Sequence, residues 1–436
     1  MGRAEGRRSA GAAARSLVAA RRAAAAFPPQ FWLATAGILV YVVGVDMCFP
    51  FETFYLNNGL HISMTVVGRL LGLTTLAGLS LQIVGGALAD RLGRRVVLVV
   101  SVCGSAVLYI GLALSHSFPQ VVAVVLFEAC FGWSMFLTGS NAMVTDLVGG
   151  PRRAEAFSIV RTAINASMVI GPLIALPFLA GRPDYRVLFA AGGGVCLFFL
   201  VVVALLGETR PAARSAAAAG WARVLRDGRL LTFCAVTLLP FYGFGQIVSI
   251  FPVAMERAHG ISADQWGRLI IVYALGLSLL QFPVVRLIRS WNPLPLLAAG
   301  SALTGVGLGL APVLPWGWES VVLVLLISLG VVILVPVGST VVAAFAPVEL
   351  RGRYMGAWTI VYLAGYAFGP LCGGWALDRL GARPAFLVAG GAGLAGAACF
   401  LALATRPAFR DLHRTAPDEA STATFEGPLK PPVADP

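Results

Sequence analysis

Two carboxylic acids, Asp46 and Glu128, lie within long apolar stretches of the 436-residue chain. An ionisable side chain in the middle of a bilayer costs roughly 2.5–3.5 kcal/mol on insertion scales, and such residues face a cavity or a partner. Counted along their helices, the two carboxyl groups come within one turn of each other in height. Burial and a nearby like charge both favour a protonated carboxyl group. The pair therefore predicts a proton-coupling site, with Asp46 as the first candidate and Glu128 as the second; the alternative is a carboxylate satisfied by hydroxyl or backbone groups beside Pro50.

Aromatic and amide side chains on later stretches are predicted to line the same cavity. Such groups suit bulky amphipathic ligands, and they are also common in helix packing. The four predicted lining residues are Tyr242, Gln246, Tyr362 and Tyr366.

Two more sets of charged or polar residues lie inside apolar stretches. Arg161 and Asn165 are one helical turn apart, and we expect Arg161 to form a gating ion pair on the cytoplasmic side, with anion binding as the alternative. Glu52 and Arg69 are predicted to form a structural pair near the outer end or to reach toward water. The acidic partners within predicted reach of Arg161 are Asp90, Asp146 and Glu155.

The surroundings of all these residues must be a lipid bilayer. Hydrophobic residues make up 58% of the chain, glycine adds 50 residues, and charged residues make up only 12%. A soluble domain has about 45–50% apolar and about 25% charged residues, and a soluble fold of this composition would expose one large apolar patch. The seven cysteines lie in apolar runs without a CxxC pair, so we expect neither disulfides nor a metal site.

Twelve stretches are long enough to cross the hydrocarbon core, which takes roughly 20 apolar residues in a helix. The composition thus predicts an all-α integral membrane protein. The predicted spans are residues 31–55, 65–89, 96–115, 119–144, 156–179, 185–206, 230–254, 264–288, 294–314, 319–345, 355–377 and 384–405.

The distribution of positive charge predicts the orientation of these spans. Most of the 32 Lys and Arg residues fall in segments on one side of the membrane, and positively charged segments stay in the cytoplasm. We therefore expect a multi-pass protein of the cell membrane with both termini cytoplasmic. This asymmetry accounts for the net charge of +12 without a nucleic-acid partner.

Similar residues recur at a constant spacing in the two halves of the chain. Gly68-Arg69-Leu70 matches Gly267-Arg268-Leu269, and Gly139-Ser140 matches Gly338-Ser339. Parallel repeats of this kind indicate two pseudo-symmetric six-helix bundles. The predicted parts are a basic tail at 1–30, a first bundle at 31–206, a linker at 207–229, a second bundle at 230–406 and a disordered tail at 407–436. The linker is predicted to be either a helix along the inner membrane surface or a simple charged connection.

The connection after the second span carries the most specific motif, Gly86-Ala87-Leu88-Ala89-Asp90-Arg91-Leu92-Gly93-Arg94-Arg95. The first glycine permits close helix approach, the last glycine permits a tight turn, and the arginines are predicted to anchor the turn at the inner headgroups. The run resembles the G-x-L-A-D-R-x-G-R-R signature of the major facilitator superfamily. Together with the span count and the repeat, this resemblance implies the major facilitator fold, in which one half rocks against the other around a midplane site.

Three further features bear on the branch of that family. Gly171-Pro172 and Gly369-Pro370 lie in the fifth and eleventh spans; the second pair resembles an antiporter pattern of the superfamily, and close packing with a proline bend is the alternative. A second signature-like run at 374–383 falls on the outer side by span parity and is interpreted as an ordinary polar turn. The family places an arginine where this chain has Glu128, which weakens transfer of the family's proton-handling account.

The sequence thus predicts a secondary transporter, and the resemblance to drug/proton antiporters implies proton-coupled efflux of hydrophobic or cationic small molecules. Proton-coupled import of a sugar or another metabolite is the alternative, less favoured because the spans hold few Asn, Gln or His residues. The chain has no nucleotide-binding loop and no Ser/His/Asp set, so we expect neither an enzyme nor a cofactor. The expected partners are a small-molecule substrate, protons and the lipid bilayer, and the expected state is a monomer.

Overall fold

The computed structural model describes residues 27–149, 152–207 and 221–409, with side chains left undescribed at 79–92 and 348. Within these ranges eleven helical stretches are long and apolar enough to cross a membrane, and Met64–Gly78 is the apolar part of one more long helix. The predicted tails and most of the predicted linker lie outside the described residues, so the expected disorder at 407–436 stays a prediction beyond Phe409.

The helices agree with the twelve predicted spans to within about a turn at each end. They are α1 Pro29–Cys48, α2 Met64–Leu92, α3 Arg94–Leu114, α4 Phe118–Phe131, α5 Trp133–Leu147, α6 Arg153–Leu179, α7 Tyr185–Leu205, α8 Gly228–Ile247, α9 Phe251–His259, α10 Ala263–Ile288, α11 Pro293–Leu310, α12 Trp318–Phe345, α13 Arg351–Leu380 and α14 Ala382–Thr405.

Local signals explain where several helices begin. Pro29 and Pro293 occupy the first turn of α1 and α11, where a missing N–H costs nothing. Asp227 accepts a hydrogen bond from the Arg229 N–H at the start of α8. Ser262 and Gln265 form a reciprocal capping box at the start of α10.

Three of the spans are discontinuous. After α1, the chain continues through a tight turn of helix at Phe49–Phe51, a short segment Glu52–Phe54 and a wide turn at Tyr55–Gly59. The seventh span is divided into α8 and α9, and the fourth into α4 and α5 at Gly132. Irregular backbone at membrane depth is tolerated where it is buried in protein or lines a cavity.

The bundle has two faces, which we name by the residues found there. The tail face carries the described chain ends, Phe27 and Phe409, and is the predicted cytoplasmic side. The far face carries Asn58, Glu256 and Asp378. The helices alternate between the two faces in chain order.

The first six spans meet the last six most closely where α2 crosses α13. A Cβ atom on Gly72 would lie 2.8 Å from the Ala367 carbonyl oxygen, and one on Gly68 would overlap the Pro370 carbonyl oxygen. Glycine at these positions lets the two backbones touch. One buried core runs through both halves, while a second core lies within the last six spans.

The described end of the predicted linker docks onto the second half of the molecule. Trp221–Val224 forms one helical turn whose Val224 side chain is fully buried. The Tyr354 hydroxyl on α13 donates a hydrogen bond of 2.7 Å to Asp227 Oδ2. This part of the chain is therefore packed against α13 instead of lying free along a membrane surface.

Candidate functional site

The exposure of residues between the two halves decreases from the tail face toward the far face. On three spans, residues one turn apart change from partly exposed to buried as the chain approaches the far face. The pairs, with the partly exposed residue first, are Asp46 and Pro50 beside α1, Tyr242 and Gln246 on α8, and Tyr366 and Pro370 on α13. Among the described residues, exposure on these three spans therefore ends at a common level on the way to the far face.

Asp46 lies where the first span meets α6. Its Oδ2 atom is 2.6 Å from the Ser167 hydroxyl oxygen. A Cβ atom on Gly171 would lie 2.7 Å from the Asp46 backbone carbonyl carbon and 2.8 Å from its Cβ atom. The Gly171-Pro172 pair thus packs against the backbone of Asp46. Ser167, one turn earlier on α6, is the side-chain partner of Asp46.

Gly369-Pro370 plays the equivalent part in the second half. A Cβ atom on Gly369 would lie 2.8 Å from the Gly245 carbonyl carbon and 2.9 Å from the Gln246 nitrogen on α8. A Gly-Pro pair therefore lies at the close contact of α6 with α1, and another lies at the close contact of α13 with α8. This agrees with the sequence repeat. Close helix packing is thus at least part of the role of both motifs.

Glu128 stabilises the break between α4 and α5. Its Oε1 atom accepts a hydrogen bond of 3.0 Å from the Trp133 N–H, the first residue of α5. A Cβ atom on Gly132 would lie 2.5 Å from the same oxygen, so glycine makes room for the returning carboxylate. A carboxylate at a helix N-terminus is favourable, and Glu128 is therefore a cap as well as a half-buried carboxyl group near the cavity.

Glu52 is a third carboxyl group at this level, and its predicted role was wrong. It is buried, and its Oε1 atom has no hydrogen-bond partner among the described residues. Arg69 is exposed on α2 and forms no ion pair with it. The depth of Glu52 was counted along a continuous helix, whereas the chain breaks at Phe49–Phe51 and folds Glu52 into the protein.

Aromatic side chains form the wall contributed by the second half. The Phe244 ring lies 5.8 Å from Tyr362 and 5.7 Å from Tyr366 between centroids, and Phe241 lies 5.0 Å from Tyr362. Tyr242 is partly exposed at the same level. Gln246 is fully buried beneath this wall, and neither of its amide atoms has a hydrogen-bond partner in the part of the chain that the structure describes. Phe244 was not predicted as a lining residue.

The predicted gate residues are only partly brought together. Asn165 Nδ2 lies 3.5 Å from Gln281 Oε1 across the halves, between α6 and α10. Arg161 is exposed and forms no ion pair with Asp146 or Glu155. Asp146 instead pairs with Arg94 at 3.2 Å. The third candidate partner, Asp90, lies outside the described side chains, so the gating ion pair stays a prediction. Arg161 lies within electrostatic range of Tyr362 across the cavity.

The signature loop after α2 joins helices within the first half. Gly93 has a φ of 99°, which glycine adopts easily, and it turns the chain from α2 into α3. Arg94 is buried against Asp146, and Arg95 Nη2 donates a hydrogen bond of 3.0 Å to the Ala204 carbonyl oxygen. These two arginines therefore bind protein groups, and the predicted headgroup role of the arginine cluster stays a prediction. The side chains of Gly86, Asp90 and Arg91 lie outside the described part.

The signature-like run at 374–383 lies on the far face and holds the two halves together there. Asp378 Oδ2 accepts hydrogen bonds from the Thr65 N–H at 2.6 Å and the Thr65 hydroxyl at 2.8 Å, and its Oδ1 accepts one from Arg257 Nη1 at 3.0 Å. Gly381 has a positive φ of 84°, and Gly93 in the signature loop also has a positive φ, of 99°. The run is thus more than the ordinary polar turn that was predicted. We call Thr65, Arg257 and Asp378 the far-face latch.

A second contact between the halves lies beside the latch. Asn58 Nδ2 donates hydrogen bonds of 2.7 Å and 2.9 Å to the two carboxylate oxygens of Glu256. The described polar contacts between the halves thus concentrate on the far face. We call the space between the half-buried carboxyl groups and the aromatic wall the chamber.

The family model of the Major Facilitator Superfamily matches residues 34–253 and 233–434. The chain belongs to the major facilitator superfamily. The predicted all-α fold with twelve helical spans in a major facilitator arrangement is confirmed, and the protein is a multi-span membrane transporter of this superfamily.

Curated members of the superfamily resemble this chain over most of their length. The uncharacterized MFS-type transporter YqjV of Bacillus subtilis is 26% identical over 372 residues, which cover 82% of this chain and 89% of the relative. The multidrug resistance protein MdtH of Shigella flexneri is 28% identical over 361 residues, which cover 80% of this chain and 86% of the relative.

Solved structures of the superfamily share the fold at low identity. The peptide transporter POT in complex with sulfate gives a TM-score of 0.71 at 16% identity, covering 89% of this chain and 95% of that chain. The human organic anion transporter MFSD10 gives a TM-score of 0.58 at 19% identity, covering 86% of this chain and 100% of that chain. These transporters support the major facilitator fold and leave the cargo of this chain open.

Proposed function

We propose that this protein is a proton-coupled antiporter that exports hydrophobic or cationic small molecules from the cytoplasm. The observation that carries the proposal is the position of Asp46, at the closed end of the chamber and in contact with α6. A carboxyl group at this place can exchange its proton for a cation as the open side of the chamber changes. The similarity to MdtH, a multidrug resistance protein, supports a drug-like cargo.

The charges and surfaces of the chamber suit such a cargo. Two half-buried carboxyl groups, Asp46 and Glu128, lie on the side formed by the first half, where Glu52 is buried, and the aromatic wall with Tyr242, Tyr362 and Tyr366 lies on the other. Cations are attracted to carboxylates and to aromatic ring faces. An organic cation with an apolar body therefore finds both kinds of contact, with Gln246 buried at the base of the wall.

We propose that Arg161 and Asn165 contribute to a gate on the tail face. The Asn165–Gln281 contact of 3.5 Å is a loose link between the halves, and Arg161 is a cation at the mouth of the chamber. When the halves close on this side, Arg161 meets an acidic group of the signature region, for which Asp90 is the candidate by sequence.

The tail face is cytoplasmic in this proposal, because the Lys and Arg residues concentrate there. The protein works as a monomer in the cell membrane, with two six-helix bundles at 31–206 and 230–406. Its chamber, as described above, is then open to the cytoplasm and ready to take up cargo for export.

The experiment that tests this function measures proton movement in proteoliposomes when a cationic dye is added. We expect the wild type and Glu155→Gln, which changes an exposed carboxyl group of α6, to move protons against the dye. Asp46→Asn should move none. Absence of dye-dependent proton movement in the wild type would remove antiport, and counter-flow of a labelled sugar by the same vesicles would favour the importer.

A further inference from the structure

The short distances around the Ser167 hydroxyl group indicate whether Asp46 carries a proton. The Ser167 hydroxyl oxygen lies 2.6 Å from Asp46 Oδ2 and also 2.6 Å from the Ile164 carbonyl oxygen in the preceding turn of α6. Both distances are those of O–H···O hydrogen bonds. Ser167 is fully buried, so the geometry is set by protein atoms.

One hydrogen atom on Ser167 cannot form two short, near-linear hydrogen bonds at once. A hydroxyl group donates once, a backbone carbonyl oxygen only accepts, and an ionised carboxylate only accepts. With Asp46 ionised, one of the two oxygen pairs would face each other at 2.6 Å without a proton between them. With Asp46 protonated, Asp46 donates to Ser167 and Ser167 donates to Ile164, and both contacts are hydrogen bonds.

We infer that Asp46 carries its proton on Oδ2 in this tail-face-open conformation, and that Ser167 is a positioning residue whose hydroxyl changes acceptor when that proton leaves. After release of the proton to water, the carboxylate becomes the better acceptor. The Ser167 hydroxyl then turns from the Ile164 carbonyl to Asp46. The proton count balances, since one proton leaves Asp46 and the hydroxyl proton stays on Ser167.

This arrangement links the proton to the packing of α1 on α6. Gly171 holds the Asp46 backbone against α6 one turn beyond Ser167, so the carboxyl group leaves the hydroxyl only if its side chain rotates or the helices separate. Gain or loss of the proton therefore changes a contact at the seam between these two helices. The inference rests on the proposed function, because it takes the proton on Asp46 to be the proton that is coupled to transport.

Other titratable or charged groups surround this contact without replacing it. Among the described residues, Ser167 is the side chain that hydrogen bonds to the Asp46 carboxyl group. The groups on the same span and on neighbouring elements are Cys48, Glu52, Tyr109, Glu128, Arg161 and Cys196. Their charges influence how tightly Asp46 holds its proton, so the test must identify the Asp46 signal itself.

Infrared spectroscopy of the full-length protein in lipid vesicles tests the inference. We expect the wild type at neutral pH to show the carbonyl stretch of a protonated carboxylic acid that is missing in Asp46→Asn. The band should change frequency in Ser167→Ala, because Asp46 then loses its acceptor, and return in Ser167→Thr, which keeps the hydroxyl group. Ser158→Ala is the matched control: Ser158 is exposed on the same helix and bonds only to the Ala154 carbonyl oxygen.

Two outcomes would overturn the inference: no band difference between the wild type and Asp46→Asn, or the same band frequency in folded Ser167→Ala as in the wild type. If Ser167→Ala is not recovered folded, the comparison of the wild type with Asp46→Asn decides whether Asp46 is protonated. Transport is measured separately. An Asp46 band that depends on Ser167 in a protein that moves no protons would sink the proposed antiport and leave the protonated contact standing.

Discussion

At the scale of single residues, the same carboxyl group can serve the backbone and the cargo. Glu128 accepts the Trp133 N–H at the break between α4 and α5, and it also adds negative charge near the chamber. A family-based expectation of arginine at this position gave no hint of a cap. The cap follows from Gly132, whose missing side chain lets the carboxylate fold back.

Substitution of Glu128 separates these two contributions. Glu128→Gln keeps a carbonyl oxygen that can accept the Trp133 N–H, so we expect a smaller loss of thermal stability than in Glu128→Ala, together with weaker binding of cationic cargo. Glu128→Ala leaves that N–H without its partner and should lower the free energy of unfolding by about 1–3 kcal/mol. Thermal unfolding and dye-binding titrations of the purified protein check both expectations. Equal stability of the Gln and Ala variants would show that the cap contributes nothing.

The roles of single residues could be predicted where neighbouring residues in the sequence determine them. They were predicted poorly where the packing of distant helices determines them. Asp46 could be singled out as a candidate because its apolar surroundings are visible in the sequence, and its proton-coupling role stays a proposal. The pairing of Arg94 with Asp146, instead of Arg161 with Asp146, depends on how α3, α5 and α6 pack, which no periodicity reveals. Glu52 was misjudged because a break in the first span changes its depth.

At the scale of helices, the spans could be located from the sequence because membrane thickness fixes their length. Their breaks could not, except near Pro50, since a broken helix keeps the same apolar composition as a straight one. The break at Gly132 and the α8–α9 break were missed for this reason. The close crossing of α2 with α13 was indicated in the sequence only by glycines of the internal repeat, such as Gly68.

The far-face latch is the element-level feature that holds this conformation. Asp378→Asn removes the negative charge that binds both Arg257 and the N-terminal end of α2. A hydrogen bond to a charged group is stronger than a neutral one by about 1 kcal/mol, roughly a fivefold change in an equilibrium constant. We therefore expect Asp378→Asn to raise the population of the far-face-open form by about that factor.

Distances between spin labels on Ser63 and Arg379, both exposed on the far face, would report that population in a cysteine-free background. Asp264→Asn is the matched control, because Asp264 pairs with Arg268 on the same helix at 2.8 Å and does not cross the halves. An Asp378→Asn distance distribution that matches both the wild type and Asp264→Asn would show that the latch does not bias the two conformations.

At the scale of the whole molecule, we propose a transporter that works by alternating access and has two unequal halves. The first half supplies the carboxyl groups and the second half supplies the aromatic wall. In each half, a Gly-Pro pair lies at a close contact between two helices. The resemblance of the signature run to the superfamily led to this fold from the sequence alone. The cargo could not be derived in the same way, because a shared fold does not determine what the chamber binds.

The most direct test of the central claim compares two modes of transport by Asp46→Asn in the same proteoliposomes. One mode is uptake of a cationic substrate driven by an imposed pH gradient, and the other is exchange of labelled for unlabelled substrate without a gradient. The account predicts that Asp46→Asn loses the pH-driven mode and keeps exchange, since coupling needs the proton site while rocking of the halves does not. Retention of wild-type pH-driven uptake by Asp46→Asn would contradict it.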